Sequence, residues 1–65
     1  MENNNIIKFM KDMENIFISC ATDAEKFVEG NNSAGTRVRK SMQTIKKLAQ
    51  EVRLEIQKQK NTVTS

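Results

Sequence analysis

The chain has 65 residues, 11 Lys and Arg against 8 Asp and Glu, a net charge of +3, one cysteine, and no histidine, proline, tryptophan or tyrosine. That length allows one domain at most, near the lower limit for a self-sufficient core, and a single cysteine excludes an internal disulfide framework or a thiolate metal cluster. Without histidine, acid–base chemistry would fall to carboxylates or lysines, and so short a chain offers no deep pocket; no enzyme, cofactor, metal site or small-molecule substrate is expected.

Met1 to Asn5 form a polar lead-in, in which one of Asn3 to Asn5 is expected to cap a first helix over about 5–29. The lead-in has neither the basic start nor the apolar core of a signal peptide, and no apolar run is long enough to cross a bilayer, so a cytoplasmic protein with no membrane partner is expected. Along the first helix Ile6, Met13, Cys20 and Phe27 recur every seven residues, interleaved with Met10, Phe17 and Ala24. Alternating steps of three and four are the period of a packed helix seam. Cys20 lies on that seam and reads as a small buried apolar residue.

Gly30 is placed to stop the first helix in the left-handed conformation, and Asn31 or Asn32, with Ser33 as the alternative, to cap a second helix over about 33–60. The turn is then 30–32, with a frayed polar tail at 61–65. On the second helix Ala34, Val38, Ile45 and Val52, interleaved with Met42, Ala49 and Ile56, repeat the grid. Folding the chain at Asn31 brings the two grids together in layers: Ala24 with Val38, Cys20 with Met42, Phe17 with Ile45, Met13 with Ala49, Met10 with Val52, Ile6 with Ile56. The predicted architecture is all-α, a coiled-coil-like antiparallel two-helix hairpin forming a single domain over 1–65. A lone hairpin buries only one seam. Phe9, Ile16, Ala21 and Val28 widen the apolar stripe of the first helix beyond what one partner helix covers, so a homodimer forming a four-helix bundle is expected.

Charge does not follow this mirror. Residues 1–30 carry six acids against three lysines, whereas residues 31–65 carry eight bases against Glu51 and Glu55. A basic rod points to a polyanion as partner. Thr36, Arg37, Arg39 and Lys40 stand at the start of the second helix, where free backbone N–H groups and the positive dipole end favour phosphate; Gly35 would allow close approach. A capped turn followed by a solvated basic turn explains the same residues without a ligand. Further on, Arg39, Lys46, Arg53 and Lys60 recur every seven residues with Lys40 and Lys47 beside them, a row of some 30 Å at 1.5 Å per residue. A solvated face with pairs such as Lys47 with Glu51 is the plain alternative, but bases outnumber local acids four to one. All three phenylalanines lie on the first helix, so base stacking is not expected. The candidate DNA-binding set is therefore Thr36, Arg37, Arg39, Lys40, Lys46, Lys47, Arg53 and Lys60, contacting the duplex backbone without reading sequence.

Between Glu29 and Lys60 the string Gly30-Asn31-Asn32-Ser33-Ala34-Gly35-Thr36-Arg37-Val38-Arg39-Lys40-Ser41, followed by Ile45-Lys46-Lys47-Leu48 and Glu51-Val52-Arg53, resembles the short bacterial histone H1-like proteins. Asn32 stands where that family often has lysine. The resemblance implies a nucleoid-associated protein that binds double-stranded DNA without sequence preference and helps compact it, as a dimer. The rival reading from another class is a helical adaptor that docks an acidic protein on the same basic face.

Overall fold

A computed structural model describes residues 4–64, with side chains through residue 61; Met1–Asn3 of the lead-in, the side chains of the expected tail from residue 62 and all of Ser65 lie outside the described residues. Two helices, α1 (Asn5–Val28) and α2 (Asn32–Thr64), fold back on each other as an antiparallel hairpin of 53 × 21 × 11 Å.

Each helix end has a local cause. Asn4 is extended (φ −95°, ψ 128°), and its side-chain oxygen accepts the Ile6 N–H at 2.9 Å, satisfying a donor that the first turn leaves without an intrahelical partner. At the other end Gly30 has φ 110°; its N–H donates to the Phe27 carbonyl at 2.9 Å, and the Asn31 N–H donates to the Lys26 carbonyl at 2.9 Å. These are the two bonds of a Schellman stop, in which a left-handed residue turns the chain so that the last carbonyls are satisfied. Asn31 then starts α2, its side-chain oxygen accepting the Ala34 N–H at 3.1 Å. At the distal end neither glycine nor proline follows Lys60, so the hydrogen-bond ladder runs on. The stretch expected to fray after residue 60 is helical through Thr64.

The heptad period holds, but the seam is rotated from the expected one. Covered positions run Ile6, Phe9, Met13, Ile16, Cys20 and Asp23 on α1, with Asp12 and Ala24 at the margins, and Ala34, Val38, Ser41, Ile45, Leu48, Val52, Glu55 and Gln59 on α2. Phe9 and Ile16 therefore take the places expected for Met10 and Phe17, and Ser41, Leu48 and Glu55 those expected for Met42, Ala49 and Ile56. The contacts across the hinge keep the antiparallel sense: the Phe27 ring lies over Gly35, and Asp23 holds Arg37. The cause of the rotation lies near the hinge. A Cβ added at Gly35 would stand 2.5 Å from Cδ1 and 2.7 Å from Cε1 of the Phe27 ring. That ring lies across the bare backbone of α2, and Ala34 beside it is wholly enclosed. Small residues at Ala34, Ser41 and Cys20 let the axes approach, and the roll of both helices follows. Cys20, 6% exposed, is a free thiol inside the seam.

Candidate nucleic-acid interface

The covered row of α2 faces α1, so at 100° per residue the opposite side of the helix carries Gln43 and Gln50 at its centre. Arg39, Lys46 and Arg53 run along one side of this line, with Lys60 beyond them, and Thr36, Lys40 and Lys47 along the other. One shallow depression joins Thr36, Arg39, Lys40, Gln43 and Lys46 to the apolar Val38 and Met42, and a second is lined by Gln43, Lys46, Lys47 and Gln50. The two basic rows are thus edges of a single surface. From Arg39 to Arg53 it extends about 21 Å along the axis.

This surface is electrostatically uncompensated. Arg39, Lys40, Lys46, Lys47 and Arg53 are exposed, and among the described residues none of them takes part in an ion pair. Glu51 leaves Lys47 alone, and Glu55 turns into the seam, where it accepts a hydrogen bond from Gln59 Nε2 at 3.2 Å. Cations held this close together repel one another, and a bound polyanion relieves that repulsion while releasing its own counterions.

Arg37 stands apart. Its Nε donates to Asp23 Oδ1 at 3.0 Å, tying the first turn of α2 to the last turns of α1. Of the phosphate-type turn expected at 30–40, the Ala34 N–H is taken by Asn31 and Arg37 by Asp23, while Gly35 receives the Phe27 ring. Thr36, Arg39 and Lys40 remain outward-facing there and are not engaged by α1. Gln43 and Gln50, seven residues apart, sit between the rows, a place that follows from the observed roll of α2.

Among the described residues, no helix is long and apolar enough to cross a membrane. Residues 7–62 match the family model of the histone H1-like protein Hc1. No curated protein and no solved structure matches the chain.

Proposed function

The chain belongs to the histone H1-like protein Hc1 family, a family of DNA-binding proteins, and from that premise we propose that residues 1–65 act as one unit that binds duplex DNA along the phosphate backbone and helps compact it. The site is the outward side of α2: Arg39, Lys40, Lys46, Lys47 and Arg53 form its main track, Thr36 and Lys60 lie at its two ends, and Arg37 contributes second to its bond with Asp23. The unit works as a homodimer in the cytoplasm, at the nucleoid, and carries out no reaction. One observation bears most of the weight. Within one hairpin, and among the described residues, five exposed cations without carboxylate partners share one continuous face that contains no aromatic residue, which suits phosphate contact and gives little means of reading bases.

Fluorescence anisotropy with unrelated duplexes of equal length, titrated over salt, tests this. Six phosphate contacts give a log–log slope of about −5. Replacing Lys40 and Lys47 together with glutamine should weaken binding to every sequence alike and lower the slope by about two units per engaged subunit, with helicity by circular dichroism unchanged. Absence of duplex binding at low salt overturns the proposal and leaves the rival, an adaptor whose basic face docks an acidic protein.

A further inference from the structure

The hairpin leaves a second apolar face uncovered. Met10 and Phe17 on α1 are 51% and 54% exposed, and Met42 and Ile56 on α2 are 39% and 41% exposed. Together with Ala24 and Ala49, each follows a covered position of its own helix by one residue: 10 after 9, 17 after 16, 42 after 41, 56 after 55. A step of one residue turns each helix by 100° in its own direction, and because the two helices are antiparallel both steps turn to the same side of the hairpin. At the hinge end a groove joins Ala24 and Val28 to Gly35, Val38 and Arg39, as that arrangement requires. The result is a strip running most of the hairpin's length. Its long borders differ in sign: Glu14 and Glu25 stand on the α1 side, Arg39, Lys46 and Arg53 on the α2 side.

We propose that a second copy of the chain covers this face, hinge beside hinge, so that Glu14 and Glu25 of each copy lie against Lys46 and Arg39 of the other. The inference rests on the homodimer proposed above and specifies its surface and orientation. Two observations carry it. The chain exposes 5364 Å², whereas a compact monomer of 7.5 kDa exposes about 4,250 Å²; the excess, about 1,100 Å², is more than the roughly 800 Å² that a standard interface removes from each partner. Charge then selects the orientation. With a two-fold axis parallel to the helices, α1 of one copy crosses the strip to α2 of the other, and acidic borders meet basic borders twice. Carried along the helices from the Phe27–Gly35 and Asp23–Arg37 contacts, Glu14 falls level with residues 46–48 and Glu25 with residues 35–37, so each acid comes within about one helical turn of its proposed cation. The opposite arrangement, hinge beside open end, sets acid on acid and base on base. Exposed ion pairs add little to affinity, so the apolar strip drives association and the borders choose among its solutions. In the chosen one Arg39 and Lys46 lie at the border shared with the partner's acids, Lys40, Lys47 and Arg53 are left for the phosphate track, and the outward sides of the two α2 helices face opposite ways, which suits holding two duplex segments at once.

Mixing two single-cysteine chains tests the orientation. In a Cys20→Ala background, one chain carries Glu14→Cys and the other Lys46→Cys, each thiol at an exposed position and the only one in its chain. Mild oxidation of the mixture, with one chain carrying a size tag, should give a mixed disulfide at least about tenfold more abundant than either self-linked species, because only neighbouring Cα atoms closer than about 7 Å can be bridged. Sedimentation equilibrium and circular dichroism on the same samples keep the outcomes apart. A dimer that gives no mixed disulfide, or one in which Glu14→Cys links to itself, overturns the hinge-beside-hinge arrangement while self-association stands. A fully helical monomer at high concentration overturns both.

Discussion

The hinge end and the open end of this hairpin are held by different means. At the hinge, contacts are particular: Gly30 in the left-handed region, the Asn31 cap, Phe27 laid over Gly35, and the Asp23–Arg37 pair at 3.0 Å. At the open end the covered row of α1 stops at Ile6, while that of α2 ends in Glu55 and Gln59, which bond to each other rather than to α1. With 33 residues against 24, α2 continues past the start of α1. Orientation and register are therefore decided where the chain reverses, while the distal seam contributes generic apolar burial. A hairpin built this way sets its layers from one end, as local contacts form before distant ones.

Substitutions centred on Gly35, Gly30 and Glu55 can break or sharpen that contrast, each followed by thermal unfolding at a fixed protein concentration, since self-association shifts the midpoint. The largest loss is expected from Gly35→Val, whose side chain would drive into the Phe27 ring: overpacking of this kind costs about 2 kcal/mol, and adding Phe27→Ala should remove most of that penalty. An undiminished penalty in the double variant would show that the close approach is not what Gly35 supplies. Gly30→Val should cost about 1–2 kcal/mol through the left-handed backbone alone, because no atom lies within 4 Å of a Cβ built there; Gly30→Asn should cost less, as asparagine tolerates that conformation. The smallest effect runs the other way. Glu55→Leu replaces a half-covered carboxylate in the distal seam with an apolar side chain and should stabilise by about 1 kcal/mol, raising the midpoint by some 4–8 °C. No rise would mean that the open end is not packed at all.

Much of this fold was legible in the residues. Asn caps, Gly30 and seven-residue spacing act over a few positions of chain, so the two helices, the turn and the antiparallel sense could be read locally. The roll of the helices could not. On α1 Phe9 and Met10 are both apolar, as are Ile16 and Phe17, so the same period fits two seams one position apart. Which one is used depends on the fit of Phe27 to Gly35, a contact between helices that periodicity does not encode. The same gap affected the interface: grouping Arg37 with its neighbours follows from sequence distance, whereas its bond to Asp23 spans 14 positions. Once the roll is known, the glutamine row at Gln43 and Gln50 and the apolar strip of Met10, Phe17, Met42 and Ile56 take definite places.

The enclosure of Cys20 gives the molecule a clock. It is the chain's only thiol, stands midway along the seam and is 6% exposed. A modifying reagent reaches it only while the helices are parted, so when reclosing outruns modification, its labelling rate relative to that of an exposed cysteine equals the fraction of time the hairpin stands open. Any ligand that holds α1 and α2 together must slow that rate by the factor through which it shifts the opening equilibrium, so the unmutated chain can register what it binds through an atom the ligand never touches.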